Sequence, residues 1–406
     1  MIRKRTILLF ITTALVVHLA SAQEDKVVPV IFSYDIGILS TNKSKILTKD
    51  ASLVAAYEQL LKDADKALKF KPVSVMEKVN IPPSGDKHDY MSLAPYYWPD
   101  PSKPGGIPYI RKDGETNPEV KDYKDKEYLP KLCETVNTLA LAYYFSGDNK
   151  YAEQAVKLIR VWFLDKNTSM NPNLNYAQAM KGTNDGRGAG LIDSRHLIKL
   201  VDGIGLINGS ESWTAADQRG MIQWFSDFLN WMQTSKNGIE EMNAKNNHGV
   251  WYDAQRLSFA LFTGQNELAG NIVMNVQSRL DKQMDDNGNF PAELERTTSL
   301  HYSVFVVEPL FIIAEMAKHT GMDLRTYTSS SGKSLKKGFE ALQPYLTQEK
   351  KWTGQQIKEF DFEEAIPLLI YAAGNYNCTT CPAAINKMVV GKTEKLRIRL
   401  FTNIDL

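Results

Sequence analysis

The sequence predicts a mainly α protein assembled from antiparallel helical hairpins. Apolar residues recur at helical spacing along most of the chain, strand-like alternation is scarce, and one hairpin signature occurs twice. The first helix, 51–69 (ASLVAAYEQLLKDADKALK), sets Leu53, Ala56, Leu60, Leu61, Ala64 and Leu68 on one face with charge opposite. Residues 127–145 do the same and stop at Ser146-Gly147, and 150–164 carries Trp162 and Phe163 on its apolar side. Further helices are expected at 214–233, 248–262, 266–284, 299–318, 333–345 and 361–373. Strand-like alternation is confined to short pieces near the ends, such as 395–403.

The repeated signature is Tyr144-Phe145-Ser146-Gly147-Asp148-Asn149-Lys150-Tyr151-Ala152, which returns as Leu261-Phe262-Thr263-Gly264-Gln265-Asn266-Glu267-Leu268-Ala269. In both, an apolar helix ends at a Gly suited to a left-handed cap, and a polar pair begins the next helix. Hairpins repeated in this way suggest helix pairs set in a ring or superhelix, with an irregular bundle as the alternative. Two long loops, 71–125 and 165–190, are rich in Pro, Gly, Asn and aromatic residues and would line the mouth of such a ring.

Composition excludes several classes. With 406 residues, 43% hydrophobic and 23% charged, the chain has ordinary globular proportions, not those of a disordered or fibrous protein. A formal charge of +1 lacks the basic excess of a nucleic-acid binder. Arg3, Lys4 and Arg5, an apolar run from Ile7 to Leu19, and Ala20-Ser21-Ala22 read as a signal peptide over 1–22, leaving 23–406 as a single domain. No later run is long and apolar enough to cross a bilayer, and no Cys sits near the cleavage site to carry a lipid. The expectation is an exported protein, periplasmic or secreted, without a membrane anchor and monomeric. Cys378 and Cys381 read as a local disulfide and Cys133 as a buried thiol; zinc would need a second ligand pair, which is not nearby.

Four stretches carry chemistry. Asp89-Tyr90-Met91-Ser92-Leu93-Ala94-Pro95-Tyr96-Tyr97-Trp98-Pro99-Asp100-Pro101 concentrates aromatics on a Pro-broken loop. Tyr90, Tyr96, Tyr97 and Trp98 suit sugar rings, whose faces are apolar and whose edges are hydroxyls; the alternative is a loop stapled to the body by its own rings. Asn243-Ala244-Lys245-Asn246-Asn247-His248-Gly249-Val250-Trp251-Tyr252-Asp253 opens a helix, with Asn246 or Asn247 as its cap. Two amides and His248 at a helix mouth favour a carboxylate or oxyanion, and Tyr252 and Arg256 follow on the same face. In Glu293-Leu294-Glu295-Arg296-Thr297-Thr298-Ser299-Leu300-His301-Tyr302, a cation precedes a Tyr, whose phenol is a poor base at neutral pH unless a cation stabilises its phenolate. The Gly-rich stretch 182–193 fails the phosphate-loop spacing, and Arg187 within it could meet an anionic substrate.

Together, DYMSLAPYYWPDP, Gly106-Ile107-Pro108-Tyr109-Ile110, Asn117-Pro118-Glu119, the NNHG-W stretch and the R-x5-Y segment resemble the alginate-lyase-type polysaccharide lyases over roughly residues 70–310. The resemblance is to the Bacteroides-type branch acting on polymannuronate or glucuronan. It implies an (α/α) toroid, an anionic polysaccharide substrate, no cofactor and no metal. It also implies catalytic roles for Asn247, His248, Arg296 and Tyr302, with Tyr90, Tyr96, Tyr97, Trp98, Arg187, Asn246, Trp251 and His301 at the substrate. The Arg–Tyr spacing is one residue shorter than the family's, so Arg256 is the alternative cation. The expected reaction removes the uronate C5 proton and expels the 4-linked oxygen, leaving a C4=C5 double bond. Two rivals are an inverting glycoside hydrolase using carboxylates from among Asp193, Asp253, Glu293 and Glu295, and a non-catalytic polysaccharide-binding protein.

Overall fold

The structure, a computed structural model, describes residues 29–404; the leader expected at 1–22 lies outside the described residues. Its helices in chain order are α1 (Ile36–Leu47), α2 (Ala51–Ala67), α3 (Lys124–Ser146), α4 (Asn149–Ile159), α5 (Leu197–Ile207), α6 (Ala215–Thr234), α7 (Lys236–Met242), α8 (Asn247–Phe262), α9 (Asn266–Gln283), α10 (Pro291–Leu294), α11 (Ser299–Ala317), α12 (Leu335–Leu346), α13 (Ile366–Asn375) and α14 (Cys381–Met388). Both copies of the hairpin signature behave as their sequences imply. Gly147 and Gly264 take positive φ values of 75° and 72°, ending α3 and α8, and α4 and α9 begin two residues later.

Helices α3, α5, α8, α11 and α13 pack side by side in that order, and α2, α4, α6, α9, α12 and α14 pack outside them. The two layers follow from composition. Helix α2 is amphipathic and buries only Leu53, Ala56, Leu60 and Ala64, whereas α5 buries every residue except Lys199. An all-apolar helix must be covered on every side, so it lies in the inner layer. The sequence pattern missed α5 because its apolar residues show no face, and because Asp202, Gly203 and Gly205 interrupt them. Asp202 accepts the Phe32 and Ser33 backbone N–H groups, and Gly205 lets Val30 cross the helix where a Cβ would meet a carbonyl at 1.9 Å.

The segment 395–403 is not a strand. It forms a short 3₁₀ turn, Arg397–Phe401, because no neighbouring strand is there to pair with it. Instead Asn42 of α1 donates to the carbonyls of Arg399, Leu400 and Thr402, and Arg397 reaches Glu134 and Thr138 on α3. The C-terminal segment thus ties back to the first helices of the chain. Helix α11 corrects a second expectation: Ser299–Thr320 is long and apolar enough to cross a membrane, yet 72% of that window is buried inside the protein. Cys378 and Cys381 form the expected disulfide, and Cys133 is a buried free thiol.

The two long loops are joined over one end of the helices. Strand β1 (Met91–Leu93) pairs in parallel with β4 (Tyr176–Ala179), while β2 (Tyr97–Trp98) and β3 (Ile110–Arg111) form a hairpin between them. Ala94 N–H and Tyr109 N–H donate to the carbonyls of Ala179 and Lys181, extending the seam. This seam roofs a cleft whose other walls are the N-terminal ends of α8 and α11.

Candidate active site

The cleft has a volume of about 610 Å³ and brings together Tyr96, Tyr97, Arg187, Asn246, Asn247, His248, Arg296, His301 and Tyr302. Asn246 is the α8 cap: its side chain accepts the His248 backbone N–H at 3.2 Å. Asn247 is fully buried, and its amide Nδ2 and backbone N–H donate to the two oxygens of Glu293 at 2.8 and 2.5 Å. A carboxylate only accepts, so this clamp fixes which end of the amide is nitrogen. Asn247 lines the cleft, and its buried Oδ1 has no hydrogen-bond partner. Burial pushes the Glu293 carboxyl up, and the two Asn247 donors oppose it.

His248 is oriented from behind. Its Nδ1 lies 2.7 Å from Oε1 of Glu241, a buried carboxylate on α7, so Nδ1 carries the hydrogen and Nε2 remains for the cleft. Arg296 lies flat on the Tyr302 ring, with 3.5 Å between guanidinium carbon and ring centroid. Asp113, in the loop after β3, holds Arg296 through Nε and Nη2 at 3.0 and 2.7 Å. The Tyr302 hydroxyl donates to the Tyr96 hydroxyl at 2.8 Å. Burial pushes the Tyr302 phenol well above its usual range, and the Arg296 charge only partly offsets this. The choice between cations is settled by position: Arg256 stacks over Tyr252, binds Gln233 and does not line the cleft.

Four sequence-based assignments fail on geometry. Tyr90 is fully buried, its hydroxyl donating to Asp193 at 3.2 Å, so it staples the loop to the body. Trp98 lies outside the cleft; its indole N–H is taken by the Glu115 carbonyl and Lys112 covers its ring. Trp251 is buried one turn below Asn247 and donates to the Phe305 carbonyl. Tyr252 also turns away from His248, donating to the Met232 carbonyl in the core. A four-residue step along a helix rises about 6 Å, enough to set Trp251 and Tyr252 a turn deeper than Asn247 and His248.

Several residues that build the site escaped sequence reasoning. Gln178 sits at φ 50°, a strained conformation for a non-glycine residue, and bridges Arg187 to Asp193 at 2.8 and 3.1 Å. Asp193 also takes Lys126 at 2.9 Å and Ser92 at 2.6 Å; burial raises its carboxyl, but these partners together leave it below its usual value. Glu241, Glu293 and Asp113 each touch a residue the sequence did single out, from positions 7, 46 and 183 residues away. Of these, Glu293 and Asp193 had drawn notice, as hydrolase carboxylates. That role does not suit three of the four candidates, because Glu293 is clamped by Asn247, Asp253 by Arg279 and Asp193 by four partners. Among the described residues no group of three or more His, Cys, Asp or Glu side chains is placed to hold a metal ion.

The sequence matches the alginate lyase family over residues 74–352. A crystal structure of an alginate lyase from Bacteroides ovatus is 40% identical, covers 93% of this chain and 100% of that one, and superposes with a TM-score of 0.88. The chain belongs to the alginate lyase family. It is a polysaccharide lyase with the family's (α/α) toroid. More distant alginate lyases share that fold: A1-III from Sphingomonas species A1, 16% identical with a TM-score of 0.55, covers 86% of this chain and 89% of its own. A1-III complexed with a tetrasaccharide is 16% identical with a TM-score of 0.59, covering 92% and 96%. No curated protein matches the chain. In this lyase the predicted quartet Asn247, His248, Arg296 and Tyr302 shares one cavity, and the two loops meet above it as expected.

Proposed function

We propose that this lyase cleaves 4-linked polyuronates, alginate and its polymannuronate blocks first, by β-elimination at the cleft formed by α8, α11 and the two loops. One observation carries the reading: Asn247, His248 and Tyr302 line a single cavity, each held by a buried or half-buried partner. The C5 proton of a uronate is too weakly acidic for a side chain while the neighbouring carboxylate keeps its charge. Asn247 donates to that carboxylate, contributing about 3 kcal/mol where charge develops, and His248 becomes a second donor once Nε2 as well as Nδ1 is protonated. Tyr302, acting as its phenolate, then takes the proton and returns it to the leaving O4.

In β-mannuronate and β-glucuronate, H5 and O4 lie on the same side of the ring, so one phenol serves both steps. These sugars differ only at C2, away from the breaking bonds, so the choice between alginate and glucuronan rests with Tyr96, Tyr97, Arg187 and His301. We also propose that the chain is exported, a reading supported by the 1–22 pattern and the Cys378–Cys381 disulfide. It would act as a monomer without a membrane anchor.

The test is an ultraviolet absorbance screen for unsaturated ends against polymannuronate, polyguluronate, glucuronan and glycosaminoglycans. Polymannuronate or glucuronan should give signal, and Tyr302→Phe should abolish it while oligosaccharide binding persists. Reducing ends without absorbance would mean hydrolysis; binding without turnover in the wild type would mean a carbohydrate-binding protein.

A further inference from the structure

The cleft's reacting groups are short of positive charge. Arg296 and Arg111 both pair with Asp113, Lys126 pairs with Asp193, and His301 with Glu364. Behind His248 stands Glu241, and behind Asn247 stands Glu293. Yet elimination loads the substrate further. As the C5–H bond breaks toward Tyr302, its electrons pass into the carboxylate, which becomes an enediolate dianion. They return to form C4=C5 as the C4–O bond breaks and Tyr302 protonates the departing oxygen. A cation facing that dianion would stabilise it beyond what neutral donors supply.

Among the described residues lining the cleft, only two cations, Arg187 and Arg195, have no carboxylate within 4.0 Å. Arg187 is tied by Gln178 and rests on the Tyr97 ring, at the loop side. Arg195 ends the 3₁₀ turn Gly188–Ser194, and its one hydrogen bond is from Nη1 to the Ile192 carbonyl at 3.1 Å. Its guanidinium lies 6.0 and 5.5 Å from the ring centroids of Trp251 and Phe305, which pack on each other at 5.3 Å. Trp251 is four residues beyond Asn247 on α8, and Phe305 three beyond Tyr302 on α11, so these rings stand about one turn, ~5 Å, deeper than the reacting groups. Ring faces hold a guanidinium without consuming its N–H donors. Two carboxylates act on it from beyond salt-bridge distance: Asp193, already bound by Lys126, Ser92, Tyr90 and Gln178, and Glu308, which lines the chamber beneath the same rings.

We propose that Arg195 is the cation that meets the carboxylate of the reacting uronate from the cleft floor and holds its extra charge during elimination. This rests on the lyase reading above and adds a residue to it. The test compares Arg195→Gln and Arg195→Lys with wild type on whichever polyuronate the wild type cleaves, alongside thermal melts. Arg195→Gln should lower kcat about 100-fold with KM changed less than about threefold, and Arg195→Lys should recover about tenfold of that loss. A packing role alone would move the melting temperature and not separate kcat from KM. A folded Arg195→Gln with kcat within about twofold of wild type overturns the proposal. Should Arg195→Gln not fold, a crystal of Tyr302→Phe with a uronate trisaccharide decides. A carboxylate oxygen within about 3.5 Å of the guanidinium supports the assignment, and all carboxylates beyond about 6 Å refute it. A wild type that yields no unsaturated product from any polyuronate defeats the lyase reading as well.

Discussion

Removing the Asp113 carboxylate should disarm Tyr302 without touching any group that meets substrate. Asp113 accepts from Arg296 Nε and Nη2 at 3.0 and 2.7 Å, from Thr297 N and Oγ1 at 3.2 and 3.1 Å, and from Arg111 at 2.8 Å. Burial pushes this carboxyl up, but the bonds from Arg296 and Thr297 outweigh it and hold it well below the usual carboxylate range. In Asp113→Ala, Arg296 keeps its charge, loses its anchor and is free to leave the Tyr302 face. Hydrogen bonds to a charged group contribute about 1.5–3 kcal/mol each, and stranding a half-buried partner adds to the loss. Since the site is partly exposed and the terms overlap, the net cost should be about 2–4 kcal/mol of stability. The same displacement should lower kcat about 10- to 100-fold, because the ring loses the charge that favours its phenolate. Urea unfolding and initial rates of unsaturated product formation measure both. Because the folded carboxyl titrates low, its contribution is present above about pH 4 and fades as pH falls further, so the variant's deficit should shrink on acidification. An Asp113→Ala enzyme with wild-type kcat would refute the claim that Arg296 acts through Tyr302.

Because burial keeps Tyr302 a phenol at neutral pH, log(kcat/KM) should climb with a slope near one as pH rises from about 6 to 9. A flat profile would reassign the base. Asn247→Ala should lower kcat by about 100-fold, since it removes the donor aimed at the substrate carboxylate; a near-normal rate would mean that another group neutralises that charge. Trp98→Ala should leave KM within about twofold of wild type, because the ring lies outside the cleft. A tenfold rise would return Trp98 to the substrate.

Local chemistry was readable along the chain. Helix periodicity, glycine stops at Gly147 and Gly264, an amide cap before α8 and a CxxC pair all depend on neighbours a few residues apart, and all appear where the pattern put them. The Asn-His and Arg-Tyr pairs were visible for the same reason. Helix α5 was not, because a helix buried on all sides has no polar face to betray its period. Segment 395–403 was misread because alternation marks a strand only where a neighbour supplies hydrogen bonds.

Tertiary structure alone decided which of those side chains share a cavity. Tyr90, Trp98 and Trp251 looked like sugar contacts beside Tyr96 and Tyr97, and a strand's pleat or a helix's turn sends them elsewhere. The partners that orient the reacting groups, Asp113, Glu241 and Glu293, come from separate elements, so no spacing in the chain announces them. Residue types dictated what chemistry was available. Folding decided which carboxylates would be spent on positioning and which cleft cations, Arg187 and Arg195, would have no carboxylate partner among the described residues. The physical reason is that charge pairing depends on distance through space, which the order of residues does not encode.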